Sequence, residues 1–117
     1  MLSSAFLRAL GERVLVFDGA MGTRVQSLGL SADDYALPGH DPSRLEGCHE
    51  VLNLTRPDSV ERIHAEYLEA GADIVETNTF GCTSIVLGEY GLQDRVAEVA
   101  AAAGRIARRA ADRFSTP

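Results

Sequence analysis

Val14-Leu15-Val16-Phe17-Asp18-Gly19-Ala20-Met21-Gly22-Thr23 sets an unbroken apolar run directly against Asp-Gly. Apolar residues without alternation are the pattern of a strand buried on both faces, as in a parallel sheet, and the abrupt polar ending marks its exit into a loop. Asp18 is therefore where chemistry is expected to begin. Its carboxylate can accept from an amine or hydroxyl, and Gly19 lets a ligand approach the backbone and leaves an N–H free for a carboxylate. The competing reading is that Asp18 caps the helix that follows; spacing alone leaves both open.

Working outward, Ser3 or Ser4 can cap a leader helix that buries Phe6, Leu7 and Leu10, with Gly11 placed to end it in a left-handed conformation. Arg13 to Phe17 is then the first strand, and a short helical segment carries Met21, Val25 and Leu28. Between Gly29 and Asn53 the periodicity fails, because Gly, Pro and Asp recur. A loop of that length with Leu30, Tyr35, Leu37 and Leu45 in it is expected to be packed and functional.

The clearest helix follows, with Val60, Ile63, His64, Tyr67 and Leu68 on one face at i, i+3, i+4, i+7 and i+8. Thr55 can cap it with Pro57 in the first turn, or Asp58 with Glu61 as a capping box. Gly71 stops it. Asp73 to Thr77 reads as a second strand, opening into Thr77-Asn78-Thr79. Two strands joined by a helix make a right-handed βαβ unit with parallel strands. A short helix from Ser84 to Tyr90 is closed by Gly91. A longer one then carries the stripe Leu92, Val96, Val99, Ala103, Ile106, Ala107, Ala110 and Phe114, its acids early and its arginines late, as the helix dipole favours. Those arginines read as a solvated outer face in preference to an anion site. Two parallel strands leave an open edge at Ile74 and Val75, to be covered by further strands or by another chain.

The 117 residues allow one ordinary domain, 1–117. A net charge of −6 with no Lys/Arg block argues against nucleic acid or an anionic membrane as partner. No run reaches membrane-spanning length and the start is unlike a signal peptide, so a cytoplasmic protein is expected. Cys48 and Cys82 read as reduced thiols.

In a parallel α/β architecture, functional residues collect at the carboxyl ends of the strands, here Asp18-Gly19 and Thr77-Asn78-Thr79-Phe80. The threonine-asparagine cluster offers hydroxyl and amide groups to a pocket, or forms a local side-chain turn. Gly19-Ala20-Met21-Gly22 lacks the third glycine of a dinucleotide fingerprint and the lysine of a P-loop. Cys48, His49, Cys82, His40 and His64 lack metal-knuckle spacing. Glu76 reads first as a paired structural carboxylate, and otherwise as a polar group inside a barrel or at its mouth.

VFDGAMGT at 16–23, GCHEVLNLTRPDSV at 47–60 and EAGADIVETNTFG at 69–81 closely resemble the start of the homocysteine-binding (homocysteine S-methyltransferase) domain of cobalamin-dependent methionine synthases. The resemblance runs from about Arg13 to about Arg113. It implies an α/β fold, a partial (β/α)8 TIM barrel of which this chain supplies the leader helix and roughly the first two βα units. The chain would then be an incomplete barrel domain, an amino-terminal fragment.

The resemblance also places Asp18, Gly19, Thr77, Asn78, Thr79 and Phe80 in a homocysteine pocket. It implies methyl transfer from 5-methyltetrahydrofolate through cobalamin to a homocysteine thiol whose pKa zinc lowers. The zinc ligands of the family are cysteines of later strands, and Cys48 and Cys82 do not stand at those positions, so this chain alone is expected to be inactive. Alternatives are a homocysteine methyltransferase using betaine or S-methylmethionine, and a non-catalytic α/β assembly module that pairs its sheet edge with a second chain.

Overall fold

A computed structural model describes residues 4–115. Ser4 caps helix α1 (Ala5–Glu12) by accepting the Leu7 amide hydrogen on its hydroxyl; Ser3, the other candidate, lies outside the described residues. Gly11 does not end the helix. The Arg13 amide still donates to the Ala9 carbonyl at 2.9 Å, so helical bonding passes through Gly11, which has no positive φ. Phe6, Leu7 and Leu10 are exposed rather than buried, since no described element covers that face.

The two expected strands are reduced to one parallel bridge, Phe17 to Ile74, and the described residues contain no strand. The chain is therefore mostly helical where two βα units were anticipated. The hydrogen bonds show why the pairing stops. Asp18 N–H donates to the Ile74 carbonyl at 2.9 Å, and Ile74 N–H donates to the Val16 carbonyl at 3.2 Å. A parallel ladder would continue through Val16 N–H and Glu76 N–H to backbone carbonyls. Both donors go to carboxylates instead: Val16 N–H to Asp73 Oδ2 at 2.9 Å, and Glu76 N–H to Asp18 Oδ2 at 3.2 Å. Arg13 holds Asp73 at 2.8 Å.

α2 (Met21–Ser27) buries Val25 and packs Met21 against the core; Leu28, just beyond it, does the same. The long segment from 29 to 53 is packed, as expected, but it is not a featureless loop. It contains a 3-10 turn (Ala32–Tyr35), α3 (Pro42–Leu45), a second 3-10 turn (His49–Val51) and the start of α4 (Leu52–Thr55). Asp41 caps α3 with Pro42 at its first position, and Tyr35, Leu37 and Leu45 are buried.

α5 (Pro57–Glu69) matches its pattern: Val60, Ile63 and His64 are buried, and Tyr67 packs against the core. Neither Thr55 nor Asp58 caps it. Arg56 occupies that position without a side-chain bond, and the Thr55 hydroxyl donates back to the Val51 carbonyl at 3.4 Å. Gly71, at φ +111°, follows the helix end and releases the chain toward Asp73. α6 (Ser84–Gly88) is capped by Thr83. α7 (Val96–Phe114) starts later than the stripe suggested, after a 3-10 turn at Gln93–Arg95, although Leu92 is buried ahead of it.

α5 and α7 pack most extensively of all the helix pairs. Val99, Ala103, Ile106 and Ala110 of α7 are buried, and the small residues among them allow close approach. Arg109 and Arg113 pair with Glu61 of α5 at 3.3 and 3.7 Å across the solvent side, while Arg108 pairs with Asp112. No described helix is long and apolar enough to cross a membrane.

Candidate functional site

A cavity of about 580 Å³ lies where the two bridged segments end. Asp18, Gly19, Thr77, Asn78, Thr79 and Phe80 all line it, together with Ala20, Met21, Gly22, His49, Glu50 and Glu76. Residues some sixty positions apart meet because the Phe17–Ile74 bridge brings both segments out side by side.

Asp18 does not cap α2, whose N-cap is Ala20 with no side-chain bond. Its carboxylate instead accepts from the Glu76 amide at 3.2 Å. Desolvation raises the Asp18 pKa above the ordinary carboxylate value, opposed by the Glu76 amide hydrogen bond and reinforced by the Glu76 charge. Glu76 is exposed and faces this cavity without an ion-pair partner among the described residues, so it is not the paired structural group expected. Two carboxylates lining one cavity favour a cationic ligand group.

Gly19 lies in tight contact with Tyr67. A Cβ there would stand 3.0 Å from Tyr67 Cε1 and 3.0 Å from its hydroxyl, and that hydroxyl donates to the Ala20 carbonyl at 2.9 Å. Tyr67 thus clamps the turn from α5. The Gly19 N–H makes no hydrogen bond among the described residues.

On the opposite wall, the Thr77 and Thr79 hydroxyls are 2.8 Å apart and Thr79 N–H donates to the Thr77 carbonyl, so the cluster is both a local turn and part of the lining. Asn78 is buried and committed: its Nδ2 donates to the His49 carbonyl at 2.8 Å and to Asn53 Oδ1 at 3.1 Å. Asn53 Nδ2 returns a bond to the Asn78 carbonyl at 2.9 Å. Asn78 therefore shapes the wall through its backbone position. Phe80 is fully exposed at the rim.

The sequence reading did not place His49 and Glu50 in the site. The His49 ring packs over Gly22, and Glu50 is only 8% exposed. Their signal is the stretch GCHEVLNLTRPDSV at 47–60, inside the segment already marked as functional. Burial pushes the Cys48 thiol up to about 11 and raises Cys82 as well, which disfavours the thiolate that a metal binds. Among the described residues no group of three or more His, Cys, Asp or Glu is placed to hold a metal ion. The residues at hand therefore do not fit a zinc centre.

A family model described as homocysteine S-methyltransferase matches residues 15–117. Two curated proteins called methionine synthase, from Mycobacterium leprae (strain TN) and Mycobacterium tuberculosis (strain ATCC 25618 / H37Rv), are each 50% identical over 111 residues. The alignments take in 95% of this chain and 9% of each relative, so the chain spans about a tenth of their length. The match covers both cavity walls, the Tyr67 clamp and the helix pair behind them, and the chain belongs to the homocysteine S-methyltransferase family.

Proposed function

We propose that this chain forms part of the homocysteine pocket of a methionine synthase, in an incomplete domain spanning 1–117 that contributes roughly the first two βα units of a (β/α)8 barrel. The single observation behind this reading is that one cavity unites Asp18 and Gly19 with Thr77 to Phe80. The two mycobacterial relatives favour this branch over enzymes using betaine or S-methylmethionine.

In this reading the Asp18 carboxylate accepts from the amino-acid ammonium, with Glu76 adding negative potential, and the free Gly19 N–H donates to the carboxylate. The ammonium offsets the desolvation and repulsion that raise the Asp18 pKa. Thr77 and Thr79 supply hydroxyls along the side chain, and Phe80 closes the rim. Zinc, cobalamin and 5-methyltetrahydrofolate belong to the longer polypeptide in this proposal, which we place in the cytoplasm; among the described residues no group of three or more His, Cys, Asp or Glu is placed to hold the metal.

The test is calorimetric titration of homocysteine into the full-length polypeptide that carries these residues. Asp18→Ala is expected to weaken binding by roughly tenfold or more, the size of a lost charge-assisted hydrogen bond. Unchanged affinity would overturn the assignment.

A further inference from the structure

The Thr77 to Phe80 wall has no strand beneath it, and its position is set by the turn and helix at 49–53. Asn53 and Asn78 anchor one side of it through the reciprocal bonds already described. The other side is anchored by Glu50, whose Oε1 accepts the Gly81 amide hydrogen at 2.8 Å. Between these anchors only Thr79 and Phe80 are free of the 49–53 segment, and both line the cavity.

Glu50 is unusual for a buried carboxylate. It has no cationic partner among the described residues, and its second oxygen has only the Cys48 thiol, at 4.0 Å. Burying a carboxylate without a cation is costly, so a carboxylate kept here is kept for what it holds. Gly81 is matched to it. A Cβ at 81 would come 2.9 Å from Glu50 Oε1 and 3.0 Å from Val86 Cγ1, so a side chain there would have to displace the end of the Glu50 carboxylate that holds the amide. Beyond Gly81 the chain turns at once, with Thr83 N–H donating to the Gly81 carbonyl at 2.9 Å, and Thr83 then caps α6. A shift at Gly81 would therefore pass directly into Phe80 on one side and α6 on the other.

The geometry points to Glu50 as a positioning residue of the pocket: through the Gly81 amide it fixes Thr79 and Phe80 where they meet the substrate. This rests on the homocysteine reading above and goes further by naming what holds one pocket wall in place. Glu50 acts by reach, not by charge, and that separates it from a group contacting the substrate directly.

Two variants split reach from charge in the full-length protein. Glu50→Gln keeps an acceptor at the same distance and loses the charge; Glu50→Asp keeps the charge and falls one methylene short. The expected result is a near wild-type KM for homocysteine in Glu50→Gln, and a KM raised roughly tenfold in Glu50→Asp with kcat little changed, the pattern of lost uniform binding. Amide hydrogen exchange at Gly81 should stay slow in Glu50→Gln and speed up in Glu50→Asp, a readout that does not depend on the substrate. The reverse order of the two variants, or equal impairment, would show that the charge itself is used and would overturn the proposal. So would wild-type behaviour of both. If Asp18→Ala leaves homocysteine binding intact while Gly81 exchange follows the expected order, the homocysteine reading fails and the Glu50 anchor stands.

Discussion

Tyr67 crowds the point where a side chain on Gly19 would begin, with Cε1 and the hydroxyl both 3.0 Å from it. The strongest helix of the chain thus reaches over to set the turn that follows Asp18. Gly19→Ala is expected to push Tyr67 off the Ala20 carbonyl and to weaken homocysteine binding by roughly tenfold, while Tyr67→Phe, losing one hydrogen bond, should destabilise the domain by about 1 kcal/mol. A double-mutant cycle on the two positions, read by denaturant unfolding, should show strong coupling; additive effects would contradict the contact.

His64 is fully buried on α5, and neither ring nitrogen has a hydrogen-bond partner among the described residues. Desolvation lowers its pKa from the ordinary 6.5, with the Glu61 charge opposing. The unfolded chain therefore takes up a proton first as pH falls, so stability should drop below about pH 6.5 and level off beneath the folded-state pKa. His64→Leu should remove that slope and gain on the order of 1 kcal/mol at neutral pH by replacing an unsatisfied group. Unfolding titrations between pH 5 and 8 check both.

Asp73 behaves in the opposite sense. The Arg13 side chain and the Val16 amide hold its pKa down to about 2, from 3.8. Its contribution is present above the unfolded value and is lost as pH falls from about 4 toward 2. Asp73→Asn should flatten acid unfolding over that window, and NMR titration of the carboxyl should locate the midpoint near 2.

Burial places the Cys48 thiol near 11 and also raises Cys82, which is only partly covered. Both should react slowly with a disulfide reagent at pH 8, Cys82 ahead of Cys48, and unfolding should speed up Cys48 more. Equal fast rates in the native state would contradict the burial.

Helices α5 and α7 were legible because a buried stripe at helical spacing depends only on the sequence within the helix, as at Val60, Ile63 and His64. The meeting of Asp18 with Thr77 to Phe80 was legible too, since strand ends of a parallel unit converge. The strands themselves were not. Val14 to Phe17 has the composition of a buried strand, yet Val14, Val16 and Phe17 are exposed and pairing survives at one residue. Composition reports what a segment prefers, while a sheet needs neighbours on both sides.

The bond that Glu50 makes left no trace in the pattern because its partner, the Gly81 amide, is thirty-one residues away and every residue but proline has one. The cap of α5 was misread for a related reason: Thr55 and Asp58 both have the right chemistry, but Thr55 ends α4 with its hydroxyl on the Val51 carbonyl, and Pro57 begins the helix before Asp58 can serve. Asp41-Pro42 carried the same signal for α3 and was absorbed into a loop.

The carboxylates of Asp73 and Asp18 close the Phe17–Ile74 pairing from opposite sides, each borne by one segment and gripping an amide of the other. Sliding either segment by a single residue would misplace both grips together and strand two charged groups. An ordinary strand secures its alignment by length, summing many weak matches. Here two acids act as end stops, so the alignment that opens the cavity is specified by two side chains and survives where almost no sheet does.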